Sequence, residues 1–122
     1  MHKDLAPDFS KSCFLYRFEI YIPILDNNGQ IIDPIHFERL TEQLMNTFGG
    51  VSARFPYGGG GIDGMYHSSV SEVVFRDKSA IIMVLAKEES ASITFFKKNL
   101  SKWEKTFDQE KILVMVHTVQ TL

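Results

Sequence analysis

Cysteine is nearly absent from this sequence, since Cys13 is the single one among 122 residues. One cysteine cannot form a disulfide within the chain or build a cysteine-based metal site within one subunit. No uninterrupted apolar segment approaches the roughly 18 residues that a membrane-spanning helix needs. We therefore expect a cytoplasmic protein without a membrane partner.

An excess of basic residues is also missing. The formal net charge is −2, from 13 lysines and arginines against 15 aspartates and glutamates. A nucleic-acid-binding protein usually carries a dense basic face. The strand predicted over residues 80–86 also contains no aromatic residue on which a base could stack. We expect no nucleic-acid partner, and an RNA-binding or nuclease domain is the least favoured of the functions considered.

Two segments have the apolar spacing of amphipathic helices. The first covers residues 34–48, after Asp33 as the N-cap and with Pro34 at the first helical position. Gly49 and Gly50 follow it and supply the left-handed residue that often ends a helix. A second apolar stripe predicts a helix over residues 90–107. Each stripe occupies one side of its helix, which is typical of helices that pack on a sheet.

Alternation of apolar residues predicts the strands. The clearest strand contains one apolar face made of Phe14, Tyr16, Phe18, Ile20 and Ile22. Further strands are predicted over residues 51–55, 80–86 and 111–118, with a short piece over 72–75. The element order predicts an α+β fold of the ferredoxin-like βαββαβ type, a four-stranded antiparallel sheet with two helices on one face. Residues 12–122 form this single domain, and residues 1–11 are expected to be a flexible tail.

The sheet face that the helices leave free is predicted to be apolar. Large apolar residues occupy both faces of the last two strands, whereas a solvated face should alternate with polar residues. Because exposed apolar patches usually mark interfaces, we expect a homodimer or higher homo-oligomer through this face. The alternation of side chains along the strands also puts three polar residues on this face, namely Arg17, Glu19 and His117. Their main interpretation is a paired interface network, and the alternative is a small active site in a dimer cleft.

The most unusual segment is residues 55–67, which contains five of the eight glycines. A glycine cluster is destabilising unless the backbone conformation requires it. We predict a long glycine-rich loop between strands two and three that contacts a small molecule or a protein partner. The candidate contact residues are Arg54, Tyr57, Gly59, Gly61, Asp63, Gly64, Tyr66 and His67.

The glycine segment does not predict a cofactor. Residues 59–64 formally match the G-x-G-x-x-G pattern, but a serine-rich, β-branched segment follows where a dinucleotide site needs a helix. Backbone N–H groups of glycine turns can still bind an anion, and Arg54 and Arg76 flank the segment. The four histidines lack the spacing of metal ligands, so no metal site is predicted.

Three short motifs resemble a pattern in small ferredoxin-like proteins. They are Phe48-Gly-Gly at a helix end, Phe75-Arg-Asp-Lys before the third strand, and Phe107-Asp-Gln-Glu before the last strand. The resemblance covers roughly residues 35–120 and implies the fold but no catalytic residues. The position of the glycine loop is also similar to that of the signalling loop in PII-like regulators, which bind nucleotide partly through a glycine-containing turn after the second helix. That turn corresponds here to residues 106–110, which contain no glycine, so the resemblance does not extend to the nucleotide-binding turn.

Two functions of different classes follow from these observations. The first is a non-catalytic, oligomeric module that binds a ligand or protein, or regulates one, through the glycine-rich loop. The alternative is a small cofactor-free enzyme of the dimeric α+β barrel type, monooxygenase-like or isomerase-like. Its pocket between sheet and helices would be lined by Tyr16, Tyr66, His67 and His117.

Overall fold

The computed structural model describes residues 5–8, 14–55 and 79–122. The glycine-rich segment and the strand predicted over residues 72–75 lie outside the described residues. The elements within them are β1 (Phe14–Pro23), α1 (Pro34–Phe48), β2 (Ser52–Arg54), β3 (Ser79–Ala86), α2 (Glu89–Thr106) and β4 (Leu113–Gln120). The predicted α+β fold with a four-stranded antiparallel sheet and two helices is confirmed.

The sheet has the strand order β2-β3-β1-β4. β1 is central and pairs antiparallel with both neighbours, so that Tyr16 lies between Ala86 of β3 and Thr118 of β4. β2 and β4 are the two edges. β2 has three residues and β4 has eight, so the two edges differ greatly in length.

The hydrophobic core lies between one face of the sheet and both helices. The ring of Phe18 on β1 stacks on that of Phe96 in α2, with their centroids 4.7 Å apart. Phe96 also stacks against Phe48 at the end of α1, at 5.6 Å. All three rings are almost completely buried. The helices therefore cover the same face, and the odd-numbered residues of β1 point away from them.

Local sequence signals define both ends of α1, as predicted. Oδ1 of Asp33 accepts a hydrogen bond from the backbone N–H of Ile35 at 3.0 Å, and Pro34 is the first helical residue. At the other end, Gly49 has φ 79° and its N–H donates to the Met45 carbonyl at 2.8 Å. No helix in the described part of the chain is long and apolar enough to cross a bilayer.

The motif Phe107-Asp-Gln-Glu links the end of α2 by hydrogen bonds to the turn that follows β1. Nε2 of Gln109 donates to the carbonyl oxygen of Leu25 at 2.8 Å and to that of Phe107 at 3.1 Å. The N–H of Asn27 donates to the carbonyl of Asp108 at 3.2 Å. Asp108 itself has a positive φ of 50°. This motif therefore has a structural role in joining two turns.

The last strand is shifted from its predicted position over residues 111–118. β4 begins at Leu113 and ends at Gln120. Ile112 precedes the strand and is buried in the core, at 1% exposure. Its N–H donates to Oε2 of Glu104 at 3.1 Å. The Ile112 N–H is therefore bonded to a side chain of α2 outside the ladder, and the strand starts at Leu113, two residues later than predicted.

Candidate functional site

Polar side chains of β1 and β4 meet on the sheet face opposite the helices, which we call the free face. In the β1–β4 register, Arg17 lies directly opposite His117, and Glu19 lies opposite Met115. The sequence predicted a common face for Arg17, Glu19 and His117. The strand order, which makes β4 the neighbour of β1, brings the three side chains together.

The Glu19 carboxylate is the centre of a polar cluster formed by Arg17, Glu19, Tyr21 and His117. Its Oε1 accepts a hydrogen bond from the Tyr21 hydroxyl at 3.0 Å and lies 3.1 Å from Nε2 of His117. Its Oε2 lies 3.5 Å from Nε of Arg17. The side chain of Glu19 is only 18% exposed, so these partners offset the cost of removing its charge from water. Tyr21 is the member that sequence reasoning missed, although its i+2 spacing from Glu19 puts it on the same face.

The Arg17 guanidinium has unused hydrogen-bonding capacity. Its Nε is buried and has no hydrogen-bond partner among the described residues, because the approach to Glu19 does not meet hydrogen-bond geometry. The side chain as a whole is 35% exposed. A buried donor without an acceptor costs about 1–3 kcal/mol.

Apolar side chains flank the polar cluster on both neighbouring strands. On β3, Met83 lies opposite Glu19, and on β4 Met115 lies opposite the same residue. The half-buried apolar side chains of β3 and β4 on this face are Ile81, Met83, Leu85, Leu113, Met115 and Val119. Leu15 on the same face is fully buried. The free face thus has a charged centre within an apolar surround.

Three surface cavities formed by described residues include none of the four cluster residues in their linings. The largest has a volume of about 520 Å³. It is lined by Ala6, Pro7, Phe48, Gly49, Gly50, Val51, Ser52, Met83, Val84 and Leu85. None of these described lining residues is ionisable. A second cavity of about 340 Å³ lies between the helices, and a third of about 210 Å³ lies beside Phe55.

Of the residues predicted for the glycine-rich loop, the structure describes Arg54 alone. It is exposed at the end of β2, where it pairs with Ile81 of β3. The others lie outside the described residues: Tyr57, Gly59, Gly61, Asp63, Gly64, Tyr66 and His67. Within residues 5–8, 14–55 and 79–122, no group of three histidine, cysteine, aspartate or glutamate side chains could hold a metal ion.

The pocket predicted for the enzyme alternative combines residues that the sheet separates. Tyr16 pairs with Thr118, whereas His117 pairs with Arg17. Successive residues of a strand point to opposite faces, so Tyr16 faces the helices and His117 faces away from them. The prediction that both line one pocket between sheet and helices is therefore wrong, because the two side chains lie on opposite faces of the sheet.

Comparison with known proteins assigns no family. The chain matches no protein-family model, and it matches no curated protein.

Proposed function

We propose that this protein is a non-catalytic, self-associating binding module of the ferredoxin-like type, whose free face docks against a second copy of the chain. The observation that carries the proposal is the Arg17–Glu19–His117 cluster at the centre of half-buried apolar side chains. An apolar surround supplies the energy of association, and a charged centre supplies orientation.

A two-fold dimer suits this face because charges of both signs lie in one row. Arg17 and Glu19 are two residues apart on β1, a spacing of roughly 7 Å along the strand. When two β1 strands meet face to face and antiparallel, each Arg17 approaches the opposing Glu19. The second copy thereby brings a carboxylate to the accessible part of the Arg17 side chain, which is 35% exposed.

The test is the molar mass in solution, measured by sedimentation equilibrium at micromolar concentration. We expect the wild-type protein to be at least a dimer. Met83→Glu places a charge in the apolar surround and should lower the mass. Met45→Glu is the matched control, because Met45 is 41% exposed on α1 and lies outside the free face. A wild-type monomer, or equal masses for the two variants, would defeat the proposal.

Charge exchange tests the face without relying on Met83→Glu, which adds a charge at a half-buried position. Arg17→Glu alone puts two acidic side chains side by side and should weaken association. The double variant Arg17→Glu with Glu19→Arg restores a row of opposite charges and should recover part of the lost mass. An unchanged mass in the single variant would also count against docking through this face.

We also propose a role for the glycine-rich segment and a cellular location for the protein. The glycine-rich segment is proposed to contact another partner or a small ligand, and the support for this is its composition together with the exposure of Arg54 beside it. A cytoplasmic location is proposed from the single cysteine.

A small cofactor-free enzyme is a second candidate, and one observation favours it. Glu19 lies at hydrogen-bond distance from Nε2 of His117, while the His117 side chain is 42% exposed. A carboxylate that orients an accessible imidazole is a common arrangement for a general base. A crystal structure of the oligomer separates the two candidates. Sheets in dry contact support the binding module, whereas a solvent-filled cavity lined by both His117 rings supports the enzyme.

A further inference from the structure

We infer that the outer edge of β4 is a second association surface, distinct from the free face, where two copies pair their β4 strands antiparallel and extend the sheet. β4 is an edge strand because the order is β2-β3-β1-β4. Its eight residues run from Leu113 to Gln120. An edge of this length presents a row of backbone N–H and C=O groups that can pair with another strand.

β4 lacks the features that usually prevent such pairing. Edge strands are commonly protected by charged side chains, by proline or by being very short. The sequence Leu-Val-Met-Val-His-Thr-Val-Gln contains no lysine, arginine, aspartate, glutamate or proline. The opposite edge, β2, is three residues long and ends in Arg54. Of the two described edges, β4 is therefore the one suited to strand addition.

The middle of β4 is open to solvent on both faces of the sheet. Val116 lies opposite Phe18 and so is on the helix side, yet it is 41% exposed. His117, on the free face, and Thr118, on the helix side, are exposed as well. Phe14, which lies opposite Gln120 at the far end of the strand, is 62% exposed. Exposure on both faces leaves the strand accessible from its edge.

The occupant that fits this edge is a second copy of the chain, because β4 is complementary to itself. In a two-fold antiparallel pair, each residue is opposed by a residue of the same parity. The β-branched residues Val114, Val116 and Thr118 then meet one another across the new ladder, and such pairs stabilise antiparallel sheets. No residue of β4 other than His117 is ionisable, and His117 already lies beside Glu19 and Arg17. Two copies can therefore approach without charge repulsion between their edges.

Edge pairing and docking through the free face are compatible. A two-fold axis perpendicular to the sheet puts the helices of both copies on the same side and joins their free faces into one continuous surface. Two different two-fold interfaces whose axes cross at right angles generate a closed tetramer of D2 symmetry. The edge interface is thus expected to persist when the free-face interface is disrupted.

The experiment combines molar mass with hydrogen exchange of the β4 amides. Val116→Lys puts a charge beside the edge and should halve the mass of the assembly. It should also speed exchange of the outward-pointing amides within residues 113–120, whereas the amides that bond to β1 keep their protection. Ile31→Lys is the matched control, because Ile31 is 68% exposed and lies outside the sheet edge. It should leave both readouts at wild-type values. Should Val116→Lys fail to fold, Thr118→Lys tests the same edge from the same face.

The two variants distinguish the loss of the free-face interface from the loss of the edge interface. If both interfaces exist, Met83→Glu gives a dimer in which the outward-pointing amides of β4 are protected from exchange. Val116→Lys gives a dimer in which these amides exchange freely, and the double variant is a monomer. A wild-type mass for Val116→Lys overturns the edge inference and leaves the free-face proposal intact. A wild-type monomer, or β4 edge amides that exchange freely in the wild-type oligomer, also overturns the edge inference.

Discussion

The Nε2 atom of His117 lies 3.1 Å from the Oε1 atom of Glu19, although 98 positions separate the two residues in the sequence. The contact exists because β4 pairs with β1 in a register that puts His117 beside Arg17. It converts two isolated polar residues into a cluster that also includes the Tyr21 hydroxyl. The charge at its centre is therefore paired and only partly hydrated.

Glu19→Gln tests how much the central charge of this cluster stabilises the fold. Glutamine keeps the shape but leaves Arg17 without a counter-charge. We expect the free energy of unfolding to fall by about 1 kcal/mol, a modest loss because the cluster is partly exposed. Urea denaturation followed by fluorescence of Trp103, the single tryptophan, measures the change at fixed protein concentration. Glu42→Gln, at an exposed position of α1, is the control, and an equal loss in both variants would contradict the prediction.

Phe96→Ala tests the aromatic centre of the core. The Phe96 ring contacts those of Phe18 at 4.7 Å, Phe48 at 5.6 Å and Trp103 at 5.9 Å. Removing it leaves a cavity beneath both helices and should cost about 3–5 kcal/mol. Phe14→Ala makes the same chemical change at a position that is 62% exposed and should cost far less. Chemical denaturation of the two variants gives the difference, and similar losses would argue against this core.

Substitution by alanine should affect the stability of the protein differently at the two glycines that follow α1. Gly49 has φ 79°, where a Cβ is strained, so Gly49→Ala should destabilise the protein by about 1 kcal/mol. Gly50 has no positive φ, and a Cβ there would meet nothing within 4 Å. Gly50→Ala should therefore be neutral or stabilise by up to about 1 kcal/mol, because it restricts the unfolded chain. Thermal melts of both variants check the signs, and a destabilised Gly50→Ala would show that the backbone there needs glycine.

Gln109→Ala tests whether the turn after α2 is a structural joint. The substitution removes the bond to the Leu25 carbonyl, which links positions 84 residues apart. A net loss of about 1 kcal/mol is expected, which corresponds to roughly 4 °C in melting temperature for a chain of this size. Gln30→Ala, at an exposed position in the turn after β1, should leave the melting temperature close to wild type. Equal melting temperatures for the two variants would remove the structural role assigned to this motif.

Local chemistry determined much of what the sequence could predict. The cap at Asp33, Pro34 at the first turn and the left-handed Gly49 act within a few residues, so the bounds of α1 follow from them. Alternation along β1 predicted which of its residues face the core, since strand geometry alone sets that pattern. The start of the last strand was less predictable, because the bond from the Ile112 N–H to Glu104 comes from another element.

The sequence alone therefore determined the kinds of elements, the ends of the first helix and the two faces of β1, because short-range geometry controls all three. From the alternation of side chains along the strands, it also predicted that Arg17, Glu19 and His117 lie on one face of the sheet. Only the tertiary structure decided that β4 lies beside β1, that His117 approaches Glu19, that Tyr16 points the other way, and that β4 is an uncharged edge. These features depend on strand order and register. Both result from packing between distant parts of the chain, so no short stretch of the sequence predicts them.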